Sequence, residues 1–326
     1  MTSTDYVIET NGLTKRYGSG EDEVTAVEDL DLHVKEGEVF GFLGPNGAGK
    51  STTINMLLDF VRPTSGTAKV LDLNSRTDSA KLRKQIGVLP EGFGLYSRLT
   101  GKRHLKFAIK WNEADDDPER ILNRVGLTQG EASRQVGDYS KGMQQRLALG
   151  MALVGNPDLL ILDEPSSGLD PHGIHQMQEL VREEARRGTT VFFSSHILGQ
   201  VEAVCDRVGI LSDGKLVATD TVEGLRKTVG AGSELELRIT GTARINIRDI
   251  DGVESVRQQD GILRVTCSNS RAKATVVSKL MNAGTEIIDI QSQPASLEDV
   301  FRAYTTGEKS SKGELDDNSQ IREVIS

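Results

Sequence analysis

Gly44-Pro45-Asn46-Gly47-Ala48-Gly49-Lys50-Ser51 fits the pattern G-x-x-x-x-G-K-[ST]. Before it, Glu38-Val39-Phe40-Gly41-Phe42-Leu43 is a short, mostly apolar run that predicts a buried strand. After it, the sequence predicts a helix from about Lys50 to Phe60. A strand, a glycine-rich turn and a helix, in that order, wrap backbone N–H groups around an anion. The helix N-terminus adds a partial positive charge. Lys50 would bring a full charge to the β and γ phosphates of a nucleotide. Ser51 would offer its hydroxyl to Mg²⁺, a hard cation that takes oxygen ligands. The whole turn, with Thr52 after it, is expected to hold nucleotide.

Further along, Leu159-Leu160-Ile161-Leu162-Asp163-Glu164 is an apolar strand that ends in two carboxylates. A buried strand delivers such residues to the C-terminal edge of the sheet, where the glycine turn also lies. Asp163 is expected to hold Mg²⁺, through water. Glu164 is expected to act as general base toward the attacking water.

Strand patterns recur at Tyr6–Glu9, Val24–Val34, Ala68–Leu73, Ile86–Leu89, Thr190–Phe193 and Val208–Leu211, with a helix over Pro171–Arg187. Strands alternating with helices predict an α/β fold built on a largely parallel sheet. The alternating stretch 24–34 predicts an antiparallel β subdomain, and the helical run over about 92–156 an inserted helical subdomain. The pattern breaks near Val229–Gly232. A small α+β domain is expected over 231–306, with strands at Leu235–Ile239, Leu263–Val265 and Glu286–Ile290 and a helix over Ala272–Asn282. From Gly307 to Ser326 the chain is polar and charged, the composition of a disordered tail.

The 326 residues are 37% hydrophobic and 27% charged, the balance of a globular chain of about two domains. The net charge of −9 repels a phosphate backbone, so no nucleic-acid partner is expected. There is no apolar run of about 18 residues and no signal-peptide pattern, which points to the cytoplasm. Cys205 and Cys267 show no metal-ligand spacing and read as reduced, structural thiols.

Four further stretches complete a pattern. Tyr139-Ser140-Lys141-Gly142-Met143-Gln144-Gln145-Arg146 resembles the signature L-S-G-G-Q followed by Q-R. Ser166-Ser167-Gly168-Leu169-Asp170 follows the carboxylate pair, Ser194-Ser195-His196 ends a predicted strand, and Thr14-Lys15-Arg16-Tyr17-Gly18 carries an aromatic. In this order, over about Val7–Arg226, the chain resembles the nucleotide-binding subunit of an ABC transporter. The resemblance implies a P-loop NTPase core and an ATPase that uses ATP and Mg²⁺. It implies that Tyr17 stacks on adenine and that His196 contacts the γ-phosphate beside Glu164. Ser140, Lys141, Gly142 and Met143 would close on the phosphates bound by a second ATP-binding subunit, itself or a sister chain. The alternative reading of Ser140 is a plain cap of its own helix.

Where the family usually has glutamine, this chain has Glu91, a residue similar to that of exporters paired with type-2 membrane proteins. Glu91 is then a candidate metal ligand with Ser51 and Asp163. Phe93, Leu95 and Tyr96 follow it in a loop, and the stretch 92–110 is expected to receive a membrane permease. Pro294–Phe301 resembles the accessory segment of drug- and ion-exporting members. The chain would then lie on the cytoplasmic face of the membrane, held by the permease. Soluble ABC-type ATPases of translation or DNA repair are the alternative, but the translation members carry two phosphate loops and the repair members a long coiled coil. A P-loop kinase or GTPase would leave the signature and His196 without a purpose.

Overall fold

Apolar runs too short to be helices form the central strands of the main sheet. The structure, a computed structural model, describes residues 6–228, 233–241, 245–259, 261–268, 270–293 and 301. It divides into two units, Met1–Glu223 and Gly224–Ser326. In the first, the strands are β1 (Tyr6–Tyr17), β2 (Val24–Leu30), β3 (His33–Lys35), β4 (Val39–Leu43), β5 (Ser65–Val70), β6 (Leu73–Asn74), β7 (Ile86–Leu89), β8 (Leu159–Asp163), β9 (Thr190–Ser195), β10 (Arg207–Ser212) and β11 (Lys215–Thr221).

The main sheet has the order β11-β10-β4-β9-β8-β7. All neighbours run parallel except β11, which is antiparallel to β10. Every residue of β4, β8 and β9 is buried, as expected when helices cover both faces of a parallel sheet. The register sets Leu43 opposite Ser195 and Asp163 opposite Ser194. The glycine turn after β4 and the residues after β8 and β9 therefore emerge side by side at one sheet edge.

Close helix packing on this sheet explains Gly41. A Cβ there would lie 2.5 Å from Val201 Cγ1 and 2.8 Å from Cys205 Sγ. Gly41→Ala is expected to destabilise the chain by about 1–3 kcal/mol through overpacking, measured by denaturant melting; a change within about 0.5 kcal/mol would contradict the packing argument. Cys205 and Cys267 are both free. Burial pushes both thiols up from the ordinary range, which keeps them protonated at neutral pH.

A second sheet, β2-β1-β5-β6 with β3 also on β1, is antiparallel throughout. Its strands differ from the sequence expectations. The single strand expected over Val24–Val34 is two, because the Thr10 hydroxyl enters the break, donating to Leu30 O at 2.7 Å and accepting from Leu32 N–H at 2.8 Å. The strand expected over Ala68–Leu73 turns at Leu71 and Asp72, both left-handed, and pairs back on itself. The helix expected to reach Phe60 runs over Lys50–Leu57 and is followed by Asp59 at φ 57°.

The helical insertion comprises Gly101–Trp111, Pro118–Arg124, Gln129–Ala132 and Lys141–Ala152. Each begins at a residue whose side chain accepts a backbone N–H: Thr100, Asp117, Thr128 and Ser140. Arg124 ties the insertion to the core helix Pro171–Arg186, donating from Nε to Glu184 Oε1 at 2.8 Å.

The second unit contains β12 (Ser233–Ile239), β13 (Val253–Gln259), β14 (Ile262–Cys267) and β15 (Ile287–Gln293) in the antiparallel order β13-β14-β12-β15. Leu235, Leu237 and Val265 pack with Val276 and Leu280 of the helix Ser270–Asn282. β11 and β13 are strands without a sequence expectation. Val229–Gly232, Pro294–Val300 and the 307–326 tail lie outside the described residues.

Candidate functional site

The glycine turn leaves β4 and enters the Lys50 helix through Gly49 at φ 106°. A Cβ at Gly49 would lie 2.4 Å from Ala26 O, so both the conformation and the space require glycine. The Lys50 side chain is buried; its Nζ donates to Gly44 O at 2.7 Å and to Pro45 O at 3.3 Å. It also lies 3.4 Å from Glu164 Oε1.

Glu164 follows β8 in the left-handed conformation, φ 49°, which costs a non-glycine residue on the order of 1 kcal/mol. Its N–H donates to Ser194 Oγ at 3.0 Å, and the Ser194 hydroxyl donates to Asp163 Oδ1 at 2.5 Å. One hydroxyl at the end of β9 thus holds both carboxylate residues. His196 Nδ1 lies 2.9 Å from Glu164 Oε2. Facing a carboxylate, Nδ1 carries the proton and Nε2 is left for another partner. Glu164 Oε1, buried and near Lys50, accepts no hydrogen bond.

Lys50 and Glu164 face a cavity of about 270 Å³ lined by the turn from Asn46 to Thr52 (Ala48 excepted) together with Ala26, Glu91 and Glu164, while Asp163 and His196 stand outside its lining. Glu91, from the loop after β7, therefore reaches the same cavity as Ser51. Tyr17 does not line it; the ring is partly exposed at the end of β1, with Lys15 Nζ 4.8 Å from its centroid. Nor do Ser140–Met143. Ser140 caps the Lys141–Ala152 helix, accepting from Met143 N–H at 3.3 Å, and Lys141 Nζ sits 5.6 Å from the Phe93 ring centroid. His172 and His175, three apart on the helix Pro171–Arg186, are both exposed, with Gln176 and Glu179 as neighbours.

Sequence reading missed two site residues, Ser194 and Ala26. Ser194 had a signal: it is the first polar residue after the apolar run Val191-Phe192-Phe193, at the height of Asp163 in the neighbouring strand. Ala26 has none, since it reaches the turn through backbone.

A parallel sheet with a glycine turn and an acidic strand end at one edge defines an α/β P-loop ATPase. Residues 27–167 match the family described as ABC transporter, and 221–305 the C-terminal domain of DrrA1-3-like ATP-binding proteins. The chain is 38% identical to the bacitracin transport ATP-binding protein BcrA of Bacillus licheniformis, over 90% of this chain and 96% of that protein. It is 32% identical to the linearmycin resistance ATP-binding protein LnrL of Bacillus subtilis, over 92% and 98%. A solved dimeric post-hydrolysis state of the ATP-binding cassette MJ0796, bound to ADP and Pi, superposes with a TM-score of 0.60 at 25% identity, covering 66% of this chain and 98% of that one. The chain belongs to the ABC transporter family, as an ATP-binding, ATP-hydrolysing subunit. Among the described residues, no helix is long and apolar enough to cross a membrane.

Proposed function

We propose that this subunit drives an export permease by closing, as a two-fold pair, around two ATP molecules. The observation that carries the catalytic part is the Glu164 carboxylate. It lines the cavity of the glycine turn, is held through Oε2 by His196, and keeps Oε1 without a hydrogen bond. Oε1 is the atom to take the proton from the attacking water. Backbone N–H groups of the turn within 46–51 and the Lys50 ammonium hold the phosphates, and His196 Nε2 contacts the terminal one. Tyr17 supplies the adenine platform.

Mg²⁺ suits the donor set, which is all hard oxygen: Ser51 and Glu91 line the cavity, and Asp163 stands at the adjacent strand end. Among the described residues no three His, Cys, Asp or Glu cluster to cage a metal alone. Phosphate oxygens would therefore complete its shell, as they do at most sites for this ion. The ion supplies charge neutralisation at the phosphates.

Pairing is supported by what the cavity lacks. The signature helix start at Ser140 presents its N-terminal end but takes no part in the cavity of its own chain. A second copy related by two-fold symmetry would bring its Ser140–Met143 to this cavity. ATP closes the pair only through tighter binding in the closed state. Ser140→Arg is expected to bind ATP normally, yet lose ATP-dependent pairing on size exclusion and at least about tenfold of its turnover; pairing that survives the substitution would remove the signature from the site.

Export is supported by relatives that serve bacitracin transport and linearmycin resistance, and by the DrrA-like C-terminal match. The permease would dock at 92–110 and place the subunit on the cytoplasmic membrane face, with 231–306 as an accessory domain. Phe93 and Leu95 line a second cavity, of about 390 Å³, while Tyr96 is exposed and stacked 6.2 Å from His104.

A further inference from the structure

The cavity of the glycine turn is short of positive charge. Among the described residues its charged lining is Lys50, Glu91 and Glu164, so one cation stands against two carboxylates. The cation is already engaged. Lys50 Nζ donates to Gly44 O at 2.7 Å and lies 3.4 Å from Glu164 Oε1. Glu164 therefore has an opposite charge beside it. Glu91 is exposed and forms no hydrogen bond and no ion pair among the described residues.

The sheet puts this free carboxylate where it is. β7 runs parallel to β8 with Leu89 opposite Leu162. Glu91, just past the end of β7, leaves the sheet at the edge where Asp163 and Glu164 end β8. A triphosphate in the cavity adds several negative charges to those of Glu91 and Glu164. Like charges repel across such a gap, more strongly as water is displaced. The N–H groups of the turn and the start of the Lys50 helix offset part of that repulsion. A divalent cation between Glu91 and the phosphates reverses the sign of the contact. The same carboxylate then serves as an anionic oxygen ligand.

We infer that Glu91 makes nucleotide binding conditional on the metal: its charge turns away ATP that lacks the ion and holds ATP that carries it. The inference rests on the nucleotide and metal readings above and adds a selection between two forms of the same ligand. Neither Ser51 nor a neutral amide at position 91 would supply that selection. A hydroxyl or an amide offers oxygen to the ion but has no charge with which to repel the bare nucleotide. Specificity of this kind comes from a repulsive element as much as from an attractive one. It keeps the pair from closing on ATP that lacks its ion.

Glu91→Gln keeps the size of the side chain and one oxygen and removes the charge. Because Glu91 is exposed and unpaired, the fold does not depend on it. The β,γ-imido analogue of ATP, which is not hydrolysed, would be titrated calorimetrically into the full chain, once in EDTA and once in excess Mg²⁺. In EDTA, E91Q is expected to bind roughly tenfold more tightly than the unmodified chain, a difference that shrinks as salt rises. In Mg²⁺, E91Q is expected to bind less tightly, so that the gain in affinity conferred by the ion falls by at least about tenfold. Glu91→Asp keeps the charge and is expected to exclude the bare nucleotide as the unmodified chain does. Equal affinities in EDTA with weaker binding in Mg²⁺ make Glu91 a plain ligand; that result overturns the inference and leaves the metal reading standing. Equal affinities in both solutions remove Glu91 from the phosphates and the ion alike, and overturn both. Tight binding of E91D in EDTA overturns the charge argument. Lys50→Ala tests the site itself: unchanged affinity in both solutions would overturn the nucleotide reading, and the inference with it.

Discussion

Glu164→Gln is expected to bind ATP as the unmodified chain does and to release phosphate at least about 100-fold more slowly. Glutamine matches the size of the carboxylate and can still accept from His196 Nδ1, now 2.9 Å from Oε2. What disappears is an atom able to take a proton from water. The replaced group is buried and adjoins Lys50. Because binding persists and hydrolysis does not, the paired state should accumulate with ATP and be visible by size exclusion. Turnover within a few-fold of the unmodified chain would remove Glu164 as the base. Failure to pair with hydrolysis blocked would instead remove the two-fold clamp.

Lys50→Ala acts earlier, on binding itself. A charged hydrogen bond to phosphate contributes about 1.5–3 kcal/mol, so ATP affinity should fall by roughly 10- to 150-fold in calorimetry. Turnover should fall further, because the same ammonium lies 3.4 Å from Glu164. Its loss leaves a buried carboxylate with one neighbour, His196, in place of two. Unchanged ATP affinity would contradict the assignment of the glycine turn.

The two variants draw on residues 114 positions apart in the chain, and the sequence pattern singles out both as candidates. Each belongs to a local pattern: an apolar run, a break in polarity and the charged residue at the break. Hydrophobic alternation, glycine spacing and helix caps express themselves within a few residues, so β4, β8, β9 and the Ser140 cap were legible. Strands defined by their partners were not. β2 and β3 divide because Thr10, 20 and 22 residues away from the groups it bonds, occupies the break.

The sequence by itself determined the strand–turn–helix around Lys50, the acidic end of β8 and the acidic charge of the chain. The tertiary structure alone decided that Ser194, 31 residues from Asp163, holds it, and that Phe93 and Leu95 line a cavity separate from that of the glycine turn. Those facts depend on hydrogen bonds and packing between segments distant in the chain, which leave no periodicity in any one of them.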